Sequence, residues 1–208
     1  SSATLVSTTN PLCEGNTYAL YTDGISERCT LATSTDINGA LTQKTVAGWF
    51  KVSGYQNPPK RIYGEGDASQ SFAFILGWGN NLLFEVDDPS FTLQIFGDTI
   101  LAPGRVYHLA MTFSGSGFDN AFCAYLDGVK QLNAEPTDRQ PDATTLTARS
   151  VGEFGSPAGT VAVGGTAVIL LAPINGSYAQ WATWDSVLTE TQIREELFEK
   201  GVTITSIA

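Results

Sequence analysis

The chain of 208 residues carries 21 Asp and Glu against 11 Lys and Arg, a formal net charge of -10, and only 15% of its residues are charged. Hydrophobic residues make up 42%, which is too many for a disordered chain. No apolar stretch approaches the ~18 residues of a membrane-spanning helix, so we expect no membrane insertion. The negative charge repels phosphate backbones and argues against a nucleic-acid partner. Few charged side chains and many turn formers favour an all-β domain over a helix bundle.

Strand-like segments recur between turn signals along the chain. The sequence predicts strands near residues 16–21, 29–33, 45–52, 61–63, 71–76, 82–86, 91–96, 107–113, 121–126, 129–132, 159–165, 167–171 and 178–184. Alternate residues from Tyr107 to Phe113 are apolar and are predicted to share one face of a strand. The pair Asp127-Gly128, between two such segments, predicts a tight hairpin.

The pattern changes near the C-terminus and predicts one short helix of about ten residues. Thr189 and Gln192 have the spacing of a capping box, in which each side chain bonds the other residue's backbone N–H. Gly201 is suited to the left-handed residue that ends such a helix. Ile193 and Leu197 are then expected to face the sheet.

Four segments, in this order, carry a resemblance to a known family. They are Tyr21-Thr-Asp-Gly-Ile-Ser-Glu-Arg-Cys-Thr-Leu, then Thr45-Val-Ala-Gly-Trp-Phe-Lys-Val, then Gly104-Arg-Val-Tyr-His-Leu-Ala-Met-Thr-Phe-Ser-Gly with Ala124-Tyr-Leu-Asp-Gly-Val, and finally Ile174-Asn-Gly-Ser-Tyr-Ala-Gln-Trp-Ala-Thr-Trp-Asp-Ser-Val-Leu-Thr-Glu-Thr-Gln-Ile. Over roughly residues 18–200 the chain resembles the laminin G-like members of the concanavalin A-like lectin/glucanase superfamily. The resemblance implies a two-sheet antiparallel jelly-roll sandwich with one short C-terminal helix. It also implies a structural role for His108 and buried positions for Trp49 and Trp184.

The length and the motif order predict an N-terminal arm, residues 1–14, followed by a single laminin G-like domain, residues 15–208. No basic segment followed by an apolar one marks a signal peptide at the start of this chain. Of the three cysteines, Cys13 and Cys29 can form a bridge in an oxidising compartment, and the alternative is three unpaired thiols that include Cys123.

Catalytic residues are not expected, so the sequence predicts a protein that is not an enzyme. A glycosidase needs two opposed carboxylates. Glu85 and Asp87 would share one strand face, but Pro89 and Ser90 stand where a related glucanase strand has its third acid. With a single His in the chain, no base beside a nucleophilic Ser or Cys is indicated.

Calcium is left open as a cofactor, and no other cofactor is expected. Calcium takes several oxygen ligands from Asp, Asn and backbone carbonyls. The candidate metal ligands are Asp87, Asp88 and Asp119, and the alternative is that they are solvated turn residues.

A carbohydrate site combines aromatic faces with amide side chains at their edges. The candidates lie near Gly-rich turns: they are Trp78, Asn80, Asn81, Tyr55 and Tyr63.

The sequence favours first a non-enzymatic structural or adhesive display module of an extracellular or virion-surface assembly, such as a capsid-decorating or tail-associated protein. The alternative is a glycan-binding, lectin-like module that depends on calcium or acts without it, and a glycoside hydrolase ranks third. The expected partners are proteins of an assembly, surface glycans, or both, and a homo-oligomer is left open. The expected location is the virion surface or the extracellular space.

Overall fold

The computed structural model describes residues 4–7, 18–24, 29–30, 41–56, 59–66, 71–88, 91–114, 122–131, 134–135, 153–154, 160–163, 166–169 and 174–199. The strands are β1 (Thr4–Ser7), β2 (Tyr18–Asp23), β3 (Cys29–Thr30), β4 (Gln43–Val52), β5 (Lys60–Gly66), β6 (Ser71–Leu76), β7 (Asn81–Asp88), β8 (Phe91–Ile100), β9 (Val106–Ser114), β10 (Phe122–Leu126), β11 (Val129–Lys130), β12 (Ala134–Glu135), β13 (Glu153–Phe154), β14 (Thr160–Val163), β15 (Thr166–Ile169) and β16 (Asn175–Trp184). A single 3₁₀ turn covers Trp78–Asn80, and a π-type helix, α1, covers Gln192–Glu199.

The described strands form two seven-stranded antiparallel sheets. The first has the order β1-β2-β16-β4-β9-β10-β11, and the second has the order β12-β8-β7-β6-β5-β13-β3. A separate hairpin pairs β14 with β15. Each sheet combines strands that are consecutive along the chain, such as β8-β7-β6-β5, with neighbours that are distant along it, such as β2-β16-β4 and β5-β13-β3. The predicted two-sheet antiparallel jelly-roll sandwich is therefore confirmed.

The hydrophobic core lies between the two sheets. Tyr107, Leu109, Met111 and Phe113 on β9 are all buried in it, as their alternation predicts. Phe50 on β4 lies in the same cluster, and its ring lies 5.2 Å from that of Tyr178 on the neighbouring strand β16. Burying such side chains stabilises a fold by about 2 kcal/mol each, so this layer holds the sheets together.

The outer face of the first sheet is covered in part by α1. Ile193 and Leu197 are buried there against Ala47 on β4 and Tyr125 on β10. The predicted capping box is present: the Thr189 N–H donates to Gln192 Oε1 at 2.8 Å, and the Gln192 N–H donates to Thr189 Oγ1 at 3.2 Å. These bonds satisfy amides that the first helical turn leaves open.

The predicted hairpin between β10 and β11 turns at Asp127 and Gly128, which both have left-handed backbone angles, with φ of 50° and 74°. This combination matches the twist of the flanking strands, and Asp-Gly accepts it at low cost. The Asp127 carboxylate also accepts a 2.8 Å hydrogen bond from the His108 N–H on the neighbouring strand. The turn is thus tied to β9.

Two shifts in the register of strand pairing change which side chains enter the core. The β5–β6 register shifts between Arg61 and Tyr63, so that Ile62 and Tyr63 both join the core cluster. The β16–β4 register shifts between Ala179 and Ala182. As a result Trp181 packs against the core, where its ring lies 5.5 Å from that of Tyr63.

Thr4–Ser7, within the predicted N-terminal arm, forms edge strand β1 and pairs with β2; the division at residue 14 stays a prediction. Cys13 lies outside the described residues. Within the described part of the chain, neither Cys29 nor Cys123 is in a disulfide, and no helix is long and apolar enough to span a membrane.

Candidate functional site

Three loops meet at one end of the sandwich, and the side chain of Asn80 joins them. We call residues 53–56, 77–81 and 101–105 the loop platform. Asn80 Oδ1 accepts from the Gln56 N–H at 2.8 Å, and Asn80 Nδ2 donates to the carbonyls of Leu101 at 2.9 Å and Gly54 at 3.4 Å. Because Asn80 is fully buried, loss of these bonds would leave unsatisfied polar groups inside the protein.

The local sequence explains why Asn80 can take this position. Gly79 and Asn80 are consecutive left-handed residues, with φ of 67° and 68°. Glycine enters this region freely, and asparagine enters it more readily than most residues. The Gly77 N–H donates to the Asn81 carbonyl at 2.7 Å and closes the turn between β6 and β7. This turn directs the Asn80 amide inward toward the other two loops.

The third loop, residues 101–105, is fixed to the first sheet. The Ala102 N–H donates to the Tyr107 hydroxyl at 2.8 Å, and the Gly104 N–H donates to the Val52 carbonyl at 2.8 Å. The Arg105 guanidinium lies 4.8 Å from the centre of the Tyr107 ring. Tyr107 therefore supplies a hydroxyl that holds this loop of the platform.

Among the side chains of the platform that the structure describes, Tyr55 is the most exposed large apolar one. It is 70% exposed, although its neighbour Gln56 is buried and its loop is anchored by Asn80. Asn81 is exposed, and Ile100, its partner in the β7–β8 pairing, is 55% exposed. An aromatic ring held open to solvent by a rigid backbone loses little conformational entropy when it contacts a ligand.

The structure brings together some of the predicted ligand-binding residues and separates others. Tyr55, Asn80 and Asn81 all belong to the loop platform. Trp78 belongs to it by its backbone, and its side chain lies outside the described part. Tyr63 lies 1% exposed in the core. We leave Tyr63 and Asn80 out of the contact surface proposed below, because buried side chains cannot touch a glycan.

Strict alternation at Arg61-Ile62-Tyr63 would have put Tyr63 and Ile62 on opposite faces. The register shift in β5 places both inside. Trp49 and Trp184, predicted to be buried, are only half-buried, and both lie toward the outer face of the first sheet beside α1. Trp181, which is also partly buried, packs against the core instead, and no local signal marks the shift in β16 that places it there.

The carboxylate considered for catalysis is engaged in a buried contact. Glu85 is 3% exposed, and its Oε2 accepts from Gln94 Nε2 at 2.8 Å. The side chain of Asp87 lies outside the described part, so the arrangement of the pair is not defined. The absence of enzymatic activity stays a prediction.

His108 lies on the outer face of the first sheet under α1. Its ring meets Trp49 edge-on at 5.1 Å and lies 6.1 Å from Phe198. Burial lowers the pKa of His108 to about 4, so the ring is neutral at physiological pH. The adjoining cleft, lined by Trp49, Trp184 and Leu197, has a volume of about 10 Å³, which is room for about one water molecule. This pocket is therefore too small for a sugar.

Within the described segments, no group of three or more His, Cys, Asp or Glu side chains is placed to hold a metal ion. Asp87 and Asp88 end β7, where they pair with Thr92 and Phe91, and their side chains lie outside the described part. Asp119 lies outside the described residues altogether. The calcium ligands therefore stay predictions.

No protein-family description and no curated protein matches the sequence. Solved structures do match the fold. The Botulinum neurotoxin serotype G binding domain aligns with a TM-score of 0.65 at 11% identity, over 95% of this chain and 46% of that one. The CBM40 of the Ruminococcus gnavus IT-sialidase, bound to α2,3-sialyllactose, aligns with a TM-score of 0.60 at 12% identity, over 85% and 94% of the two chains.

Domain 4 of a GH43 extracellular arabinanase from Geobacillus stearothermophilus, in complex with arabinotriose, aligns with a TM-score of 0.61 at 15% identity, over 94% of this chain and 81% of that one. At such identities the likeness concerns the fold alone. The protein is a two-sheet β-sandwich with the fold of these domains, and its resemblance to the laminin G-like group is consistent with these neighbours.

Proposed function

We propose that this protein is a non-enzymatic glycan-binding module whose contact surface is the loop platform. The observation that carries the proposal is Tyr55, 70% exposed on a loop that the buried Asn80 amide ties to two others. Two structural neighbours are carbohydrate-binding or carbohydrate-bound domains, which supports glycan binding over the display role that the sequence favours first. Display in an assembly, at the virion surface or elsewhere, is the alternative.

The chemistry of the platform suits a sugar. The face of an aromatic ring packs against sugar C–H groups, and the amide of Asn81 at its edge is able to exchange hydrogen bonds with hydroxyl groups. Hydrogen bonding orients the ligand, while the ring supplies the apolar contact.

A glycan array, read with and without EDTA, followed by calorimetry on the glycans that bind, tests the proposal. Tyr55→Ala is expected to weaken binding about tenfold, the equivalent of ~1.4 kcal/mol of lost ring contact. Tyr55→Phe keeps the ring and is expected to retain most of the affinity. Because Tyr55 is exposed, neither change should alter the unfolding temperature, which separates a binding effect from misfolding.

Val129→Ala is the matched control, since Val129 is a second strongly exposed apolar residue, 63% exposed, on β11 outside the platform. Binding that survives in Tyr55→Ala would remove the platform from the site. A protein that binds no glycan and instead copurifies with a particle would favour display. Loss of binding in EDTA that added calcium restores would show that calcium takes part.

A further inference from the structure

The loop platform and the strand ends beside it differ in charge from the rest of this acidic chain. Residues 51–61, 77–81 and 101–106 contain four of the 11 basic residues and none of the 21 acidic ones. The four are Lys51, Lys60, Arg61 and Arg105. The chain as a whole has a net charge of -10, so these segments are set apart as basic along the sequence. In the structure one acidic residue, Asp127, lies beside them and pairs with Arg105.

The strand pairings bring these basic residues to the platform. Lys60 begins β5 and pairs with Leu76, the residue before the platform turn at Gly77. Lys51 pairs with Val106, directly after the loop that ends at Arg105. At physiological ionic strength the electrostatic field of a charge extends about 8 Å, so a lysine at the platform border attracts an anionic group that comes within that distance.

Two of these cations are already engaged in other contacts. Arg105 forms a 3.0 Å ion pair with Asp127, which offsets its charge. Arg61 is buried, only 2% exposed. Lys51 and Lys60 form no salt bridge with a carboxylate of the described segments, and both are partly exposed. Burial lowers the pKa of Lys60, and a nearby anion would offset the cost of keeping that ammonium charged.

From this segregation, and resting on the proposed function, we infer that the platform takes an anionic glycan. The sugar face lies on Tyr55, and a carboxylate or sulfate group is attracted by Lys51 and Lys60. A long lysine side chain suits such a group because its ammonium is a point charge that adapts to either geometry. The acidic remainder of the surface repels the same ligand, so attraction is confined to this end.

Matched sugars test the inference. Lactose, sulfated lactose and α2,3-sialyllactose share a core and differ in the anionic group. The protein should bind one or both anionic forms at least about tenfold more tightly than lactose. Lys51→Gln and Lys60→Gln should each reduce that preference about threefold to fivefold, the effect of losing one partly exposed charge, and leave lactose binding unchanged. Lys60→Arg keeps the charge and should keep the preference.

Arg194→Gln is the control for net charge, because Arg194 is an exposed cation on α1, outside the platform. An equal loss of preference in Arg194→Gln would overturn the inference, since the effect would then come from total charge. Equal affinity for lactose and its anionic forms would also overturn it, as would array binding confined to neutral glycans, which leaves the proposed function standing. No binding to any arrayed glycan would overturn both.

Discussion

Lys44 on β4 and Glu65 on β5 form an ion pair inside the sandwich, with 2.5 Å between Nζ and Oε2. The two side chains are 2% and 0% exposed, and they join the two sheets. The Tyr63 hydroxyl donates to the other carboxylate oxygen of Glu65 at 2.7 Å. Burial, followed by the negative charge of Glu65, raises the pKa of Tyr63 well above its ordinary value. The pair is therefore a fixed polar contact within an otherwise apolar layer.

Removing one member of the pair should be costly. Lys44→Met leaves a buried carboxylate without its cation, and we expect it to lower the free energy of unfolding by about 3–5 kcal/mol. The double variant Lys44→Met/Glu65→Gln removes both charges and should recover part of that loss. Urea unfolding of the two single variants and the double variant measures the coupling. A loss below about 1 kcal/mol in Lys44→Met would show that the pair is not a buried charge contact.

His108 predicts a specific dependence of stability on pH. Its pKa in the folded protein is lowered to about 4 from 6.5, so the unfolded chain binds the proton first as pH falls. The neutral His108 ring therefore contributes to the free energy of unfolding above pH ~6.5. This contribution, about 3 kcal/mol in total, is lost as pH falls toward ~4. Subtracting the unfolding free energy of His108→Phe at each pH removes the contribution of the carboxylates. A difference that stays flat from pH 7 to pH 4 would contradict the prediction.

Gly128 and Gly104 have similar left-handed backbone angles, with φ of 74° and 80°, so the same substitution can be compared at both positions. An alanine at either position incurs a backbone cost of about 1 kcal/mol. At Gly104 a Cβ atom meets nothing within 4 Å, whereas at Gly128 it would come within 3.0 Å of Phe198 on α1. Gly128→Ala should therefore be about 1 kcal/mol more destabilising than Gly104→Ala. Equal unfolding temperatures of Gly128→Ala and Gly104→Ala would show that α1 moves away from the new methyl group without a measurable cost.

Gly48 should tolerate no side chain. A Cβ atom there would lie 2.4 Å from the indole of Trp181, which the shift in β16 turns against the core. Because the ring is packed among other aromatic side chains, we expect Gly48→Ala to cost about 3 kcal/mol or to prevent folding. Gly54→Ala, where a Cβ atom meets nothing within 4 Å, should change stability by less than about 0.5 kcal/mol. Thermal unfolding compares the two, and similar values would contradict the packing of Trp181.

The sequence by itself determined the features that depend on a few neighbouring residues. The capping box of Thr189 and Gln192 and the left-handed turn at Asp127 were predictable, because their hydrogen bonds and backbone angles are set within four residues. The alternation from Tyr107 to Phe113 was predictable because a strand has a fixed period of two. These local patterns, ordered along the chain, indicate a two-sheet sandwich, and the resemblance to the laminin G-like group implies that it is a jelly roll.

Tertiary structure alone decided which candidate residues are accessible. Register shifts moved Tyr63 and Trp181 into the core, and such shifts depend on the partner strand rather than on local sequence. The position of Asn80 among three loops follows from contacts 21 and 24 residues apart along the chain, and only strand pairing brings those loops together. Tyr55 was recognisable as an aromatic residue near a turn, but its exposure depends on how the surrounding strands pack.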